Sequence, residues 1–381
     1  MSASLQILPL DRLQSHDRKR FISMARKHYE KDPHWVAPLD SEVHSVLGPS
    51  NPFFKHAQGQ LWLAIRGDRV VGRIAGLVDS FHNNIHGEQT AFFGFFESVD
   101  CIETARALFD TVSQWARSLG MTRLRGPMNP SINDECGLLV EGFHSPPVLM
   151  MTYNPPWYPK LLEESGFYRV KDLLAFDISV AEAPEARLRR LREGVVRRHP
   201  DLSLRPVTRQ SLATDVPGIK RVYNSAWEKN WGAVPLTESE IDFMIQRLQP
   251  LLVEGLVWLA EHQGKAVGFL LALPDFNEAL KPLRGKLFSA GVWKAIPYLA
   301  GWKKPAAIRL VALGVCEEFR GRGVEAAMLT ETLWTCQRKG FTTCEASWIL
   351  ENNLPVQRVI EIFGGRRYKT YRVYDRDMEA R

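Results

Sequence analysis

The chain has 381 residues, 45% of them apolar and 24% charged, with 49 Lys and Arg against 43 Asp and Glu. That length exceeds one ordinary core and suits two domains, and no stretch approaches the ~18 apolar residues of a membrane-spanning helix. The five cysteines (101, 136, 316, 336, 344) are odd in number and lack CxxC spacing, which argues against a disulfide framework or a structural zinc and for reduced thiols in a cytosol. The opening residues show no secretory-leader pattern, and the expectation is a cytoplasmic protein; no metal and no nucleic-acid partner are expected either.

The first element in chain order is a strand, LQILPL, followed by a helical stretch over 12–30 and a loop rich in Trp and Pro. Next comes a hairpin, LWLAIRGDRVVGRIAGLVD, turning at Gly67–Asp68. A strand (AFFGFFESV), a helix (102–119), a strand (MTRLRGPMN), an Asn-led helix ending in glycine (154–166) and a strand (YRVKDLLAFDI) complete the first half. A basic helix at 187–199, bounded by Pro184 and Pro200, marks the junction. The series then restarts with LSLRPVT, a helix over 216–229 and the hairpin VWLAEHQGKAVGFLLALPD, turning near Gln263–Gly264. AIRLVALGV, a helix over 324–339, TTCEASWIL, an Asn-led helix over 353–364 and RYKTYRVYDR close the chain. The two hairpins match almost residue for residue (W-L-A, a turn, V-G, an apolar strand), the signature of an internal duplication. The reading is therefore α/β, with domains at 1–182 and 200–381, each a mixed twisted sheet flanked by helices.

The segment 311–329, VALGVCEEFRGRGVEAAML, resembles the GNAT acyltransferase superfamily, and so does the order of elements around it. The resemblance implies a strand that splays open to pair with the pantetheine arm of acyl-CoA. It also implies a loop, Arg320, Gly321, Arg322 and Gly323, leading into Val324, whose backbone N–H groups face the pyrophosphate. Val315 N–H would polarise the thioester carbonyl, and Asn353 would cap the later helix and reach toward the donor. Glu325 departs from the family's small residue in the first helical turn. Ile360 stands where many members carry an acidic tyrosine, which leaves Tyr368 or Tyr371, on the last strand, to substitute or simply to pack. Candidates for the base that deprotonates the acceptor amine are Glu135, Glu351 and Glu345; Trp348 is assigned to the substrate side.

The first half has no such loop: AFFGFFE is followed by SVDCIETA, so its donor site is degenerate and it is expected to serve the acceptor. Its loop 126–150 gathers Asn133, Asp134, Glu135, Cys136 and His144, which form either a substrate-binding loop or a network of Asn and Asp turns. The insertion 276–302 repeats apolar residues at near-helical spacing between lysines, and 277–309 holds seven basic residues against Glu278. It reads as an amphipathic lid or interfacial helix, or as a helix packed on the core. With its basic residues, 281–304 is expected to meet an anionic membrane surface, placing the protein at the inner face of the membrane. As a whole the chain is similar to the bacterial ceramide synthases, which implies an acyl-CoA-dependent N-acyltransferase, long-chain and acting on a lipid-like amine such as a sphingoid base. An acetyltransferase for a small amine or peptide, and a non-catalytic CoA-binding module, are the other readings.

Overall fold

The computed structural model, which describes residues 3–378, opens with β1 (Leu5–Leu10), α1 (Ser15–His28) and α2 (Asp40–Val46). There follow β2 (Ala57–Arg66), β3 (Arg69–Asp79), α3 (Ser80–His86), β4 (Thr90–Ser98), α4 (Ile102–Ser118) and β5 (Arg123–Gly126). Three short strands, β6 (Met128–Asn129), β7 (Glu135–Cys136) and β8 (Leu138–Glu141), precede α5 (Tyr158–Glu164), β9 (Tyr168–Ser179) and α6 (Glu185–Arg198). The series then repeats with β10 (Leu202–Pro206), α7 (Leu212–Trp227), α8 (Glu238–Leu248), β11 (Val257–His262) and β12 (Lys265–Pro274). Two helices, α9 (Asn277–Leu280) and α10 (Val292–Leu299), fill the insertion. The chain ends on β13 (Ala307–Val315), α11 (Val324–Lys339), β14 (Thr343–Leu350), α12 (Leu354–Ile362) and β15 (Arg366–Asp377).

The matching hairpins fold alike in detail. β2–β3 closes on Arg66↔Arg69 and β11–β12 on His262↔Lys265, leaving two-residue turns. Gly67 and Gly264 hold φ of 60° and 74° there, a region that favours glycine. The register shifts at Ala64/Ile65 in one hairpin and at Ala260/Glu261 in the other, the same point of the repeat. The shared V-G step also has a packing reason. A Cβ on Gly72 would lie 2.8 Å from Leu108 Cδ1 of α4, and one on Gly268 3.2 Å from Met328 Cε of α11. Each glycine lets the following helix settle closely on the sheet.

Contacts divide the chain into two units. The first comprises Met1–Leu173, Asn277–Trp302 and Lys369–Arg381; the second, Leu174–Phe276 and Lys303–Tyr368. In the first, the sheet order β1-β2-β3-β4-β5 is followed by β15, which pairs antiparallel from Tyr374↔Gly126 to Asp377↔Arg123. Arg125 reinforces that pairing, donating to both carboxylate oxygens of buried Asp375 at 2.8 and 2.9 Å. Phe93, Phe96, Leu108, Phe109, Val112 and Tyr374 share its core. In the second, β10-β11-β12-β13-β14 is followed by β9, and α11 buries Val324, Ala327, Met328 and Leu333 against Leu270 and Ile308. α6 belongs to this core through Leu188 and Val195; Arg187, Arg189, Arg190, Arg197 and Arg198 are exposed, and half-buried Arg192 donates from Nε to Glu331 Oε1 at 3.0 Å. The strands of each unit are mixed in direction, parallel between β4 and β5 and between β13 and β14, and antiparallel from β1 to β4, from β10 to β13 and between β5 and β15.

The units do not run consecutively as 1–182 and 200–381 do. The last strand of each repeat is exchanged, β15 serving the first unit and β9 the second, and the insertion packs with the first.

Candidate active site

In the second unit the parallel ladder between β13 and β14 runs from Ala307↔Thr343 to Leu310↔Ala346 and stops, although the strands continue to Val315 and Leu350. β13 keeps its other edge paired with β12 as far as Val315↔Gly268. Cys316 N donates to Val267 O at 2.8 Å, so by strand alternation the Val315 N–H turns to the opened edge. Against this strand stands Trp227 of α7. A Cβ on Gly314 would lie 2.4 Å from its ring, which stacks on Tyr223 at 4.7 Å.

The opened edge leads into the glycine turn. Gly321 and Gly323 hold φ of 72° and 84°, and Gly323 is the N-cap of α11, whose first residue is Val324. A Cβ on Gly321 would meet nothing within 4 Å, so that side of the turn is open. The unpaired N–H groups of a 16-residue helix and its dipole therefore face a place where a phosphate can approach the backbone closely. Arg320 braces the turn, with Nε donating to Val315 O (3.3 Å) and Nη2 to Ala226 O (3.0 Å). Arg322 lies exposed with its guanidinium over Phe319, 5.0 Å from the ring centre. Glu325, in the first turn, is half-buried; burial pushes its carboxyl above the usual range, with Arg320 acting the other way. A neutral carboxyl there repels phosphate less than an ionised one.

A polar cluster sits where the strands part. Arg309 and Glu345 face each other across the ladder one pair before it ends, and Ser347 is the first residue of β14 beyond it. All three are buried, at 4%, 3% and 4% exposure. Arg309 Nε donates to Ser347 Oγ at 3.0 Å, Ser347 Oγ donates to Glu345 Oε1, and Tyr368 O–H donates to Glu345 Oε2. Of the tyrosines expected to replace the family acid, Tyr368 is thus placed on a carboxylate, half-buried, whereas Tyr371 is fully buried in the first unit. Ile360 is core, 1% exposed. Asn353 caps α12, accepting from Val356 N at 3.4 Å. Trp348 is half-buried on the parted stretch of β14, and Glu351 lies in the turn after it, its backbone oxygen accepting Gln357 Nε2 at 2.9 Å.

The first unit carries the same split, filled by its own chain. The β4–β5 ladder ends at Phe92↔Arg125 while β4 continues to Ser98. Residues of β6 enter: a Cβ on Gly94 would lie 1.7 Å from Met128 O, and Asn129 Oδ1 accepts Phe95 N at 2.6 Å. Val99 N donates to Val71 O as Cys316 N does to Val267 O, which makes Ser98 the counterpart of Val315. The Ser98 N–H goes to the hydroxyl of Tyr158 at 2.8 Å, and that hydroxyl donates in turn to Glu97 Oε2 at 2.8 Å.

Loop 126–150 shows both turn chemistry and strand pairing. Ser131 Oγ donates to Asp134 Oδ2 (2.7 Å) and accepts Asn133 N (3.2 Å). Glu135 and Cys136 form β7, paired with Asn129 and Met128, and Cys136 is 1% exposed. His144 is exposed, in a stretch held by buried Lys369, whose Nζ donates to Ser145 O at 3.2 Å and Pro146 O at 2.6 Å. Arg309, Ser347, Trp227 and Lys369 were missed from the sequence. The available signal was a charged residue inside an otherwise apolar strand, as Arg309 is in AIRLVALGV.

A central strand that parts from its neighbour and feeds a helix N-terminus is the GNAT arrangement, built twice here and open in the second copy. The tandem GNAT protein from the clavulanic acid biosynthesis pathway shares this fold at 14% identity with a TM-score of 0.60, over 99% of this chain and 100% of that one. No family model matches the chain. Bacterial ceramide synthase of Caulobacter vibrioides is 34% identical over 382 residues, 98% of each chain. Protein YghO of Escherichia coli is 32% identical over 375 residues, 96% of this chain and 94% of that one. The chain belongs to the family of bacterial ceramide synthase, and its fold is that of the tandem GNAT proteins.

Proposed function

We propose that the protein transfers a long-chain acyl group from acyl-CoA to the amine of a lipid-like acceptor, such as a sphingoid base. The observation that carries the donor assignment is the open β13 edge running into the Gly321–Gly323 turn, beside a counterpart in the first unit filled by residues 128–129. The acceptor class is supported by the name of the Caulobacter relative, matched over 98% of both chains.

Aminolysis of a thioester needs an aligned amine, a polarised carbonyl and somewhere for the amine proton to go. Val315 N–H supplies the polarising hydrogen bond. Buried Glu345 reaches the surface through Tyr368, whose O–H already donates to it. The Tyr368 oxygen can take the amine proton as its own passes to Glu345, while the C–N bond forms and the C–S bond breaks. The same hydroxyl can then return a proton to the leaving thiolate, which balances the reaction. Ser347 and Arg309 hold the Glu345 carboxylate in place.

The test is turnover of the purified chain with palmitoyl-CoA and a sphingoid base in detergent, read by mass spectrometry, beside acetyl-CoA with small amines and peptides. Formation of the N-acyl sphingoid base is expected. Faster acetylation of a small amine would replace the lipid acceptor, and release of no CoA with any amine would leave a binding module.

A further inference from the structure

We infer that the insertion is a membrane-docking wedge carried by the first unit, whose partner is an anionic bilayer surface. One side of it is fixed to that unit. Ala279, Leu283 and Ala295 are buried at 4%, 3% and 1% exposure. Asn277 Nδ2 donates to Pro147 O (2.8 Å), Lys281 Nζ to Pro33 O (2.6 Å), and Asp40 N to Gly285 O (2.8 Å). Gly285 sits so close that a Cβ would lie 3.0 Å from Pro38 O.

The other side is left to solvent. Phe288, Trp293 and Trp302 are 95%, 76% and 80% exposed, and Leu287 46%. Single exposed apolar residues are ordinary on a protein surface. Three large aromatic rings turned outward within one short, anchored segment are not. Tryptophan favours the headgroup boundary of a bilayer, where its ring is half in hydrocarbon and its N–H is wet. The charge selects the lipid. The segment 277–302 contains Lys281, Arg284, Lys286 and Lys294 against Glu278, whose carboxylate accepts the Tyr298 hydroxyl at 2.9 Å. Arg284, Lys286 and Lys294 are exposed beside the aromatic residues. α10 has eight residues, so the segment can insert side chains but not cross. The inference rests on the lipid-acceptor reading only for its purpose, since delivery of such an acceptor needs contact with a membrane.

Flotation of the full chain with vesicles tests it, using phosphatidylcholine alone and an equal mixture with phosphatidylglycerol. The native chain is expected to float with the mixed vesicles, and less so as salt shortens the Debye length from about 10 Å at 0.1 M to about 3 Å at 1 M. F288S/W293S/W302S should lower the bound fraction tenfold or more. K286A/K294A should weaken binding roughly fivefold per lysine, the factor that about 1 kcal/mol represents. Circular dichroism and melting of the variants should match the native chain, because all five side chains are exposed. No flotation of the native chain with either vesicle, or flotation of the triple variant at the native level, overturns the inference. A native dimer that the triple variant dissolves, with no vesicle binding, would assign the patch to a second copy instead. Acylation of the sphingoid base in detergent, measured on the same preparations, separates the two readings. Flotation without that activity leaves the wedge standing and removes the acceptor.

Discussion

The two units contain the same parted strand and treat it oppositely. In the second, β13 is left with one edge open beyond Leu310, and two glycines carry the chain into a helix N-terminus. In the first, Asn129 and Met128 occupy that edge, and a tyrosine hydroxyl takes the N–H of Ser98 where the counterpart, Val315, faces the opening. An opened strand edge exposes backbone donors and acceptors that must find partners. A ligand can supply them, or the protein can. The first unit fills the opening with its own residues 128–129, which ties loop 126–150 to the parted strand.

The comparison would be broken most forcefully at the polar cluster of Arg309, Glu345, Ser347 and Tyr368, whose carboxylate stands beside an open edge where Glu97 and Tyr158 stand beside a filled one. Glu345→Gln should lower kcat by ~10²-fold or more, the usual worth of a general base, with acyl-CoA affinity by calorimetry changed little. Tyr368→Phe should follow it, and in both variants kcat should fall while KM for acyl-CoA stays near the native value, a split that a merely structural role would not give. Glu135→Gln and Glu351→Gln serve as the contrast. If either costs more than the Glu345 change, the proton goes there instead.

Next in size is the turn itself. Gly323→Glu should weaken acyl-CoA binding by ~10²-fold, since it places charge at the pyrophosphate and a side chain at φ 84°, with its Cβ 2.9 Å from Val195 Cγ2. Gly323→Ala carries the strain without the charge and should lose less. Equal affinities in calorimetry for native and Gly323→Glu chains would move the donor elsewhere.

A change to the plug should have the opposite pattern. Asn129→Ala leaves Phe95 N without its acceptor, at a cost of about 1–3 kcal/mol of stability, and should not alter acyl-CoA affinity. A lower melting temperature with unchanged affinity supports the contrast between the units; a second CoA bound per chain would show that the first opening had only been covered.

The smallest effect is expected at Glu325. Its carboxyl is raised by burial, so it stays protonated to higher pH than a free glutamate and ionises above that point. Native acyl-CoA affinity should therefore fall by a few-fold as pH rises through that ionisation, and Glu325→Gln should flatten the dependence. A native profile identical to that of the variant would show that the carboxyl points away from the phosphates.

Much of this was legible in the chain. The paired W-L-A and V-G segments predict both hairpins, and the structure adds that even the bulge at Ala64 and Ala260 is shared. Arg-Gly-Arg-Gly marks the glycine turn because only glycine takes positive φ readily and lets phosphate approach. That loop is missing after β4, in the unit whose parted strand is filled by residues 128–129. The insertion's apolar spacing shows an amphipathic segment, but not which of its apolar residues are buried. Leu283 and Trp293 look alike in the pattern, yet one is 3% exposed and the other 76%.

What the sequence by itself determined was local: strand and helix periods, two-residue turns, a glycine turn opening a helix and a duplication, all governed by contacts among near neighbours in the chain. Tertiary structure alone decided the rest. The exchange of β9 and β15 depends on which sheet edge each last strand meets, and two repeats with similar last strands do not specify that by pattern. The joining of Arg309, Glu345, Ser347 and Tyr368 depends on strands brought side by side from distant parts of the chain. The plug at Gly94 depends on a loop some thirty residues later finding an unpaired edge. These are long-range pairings of buried polar groups, set by the need to satisfy every such group once water is excluded, and no local pattern of residues records them.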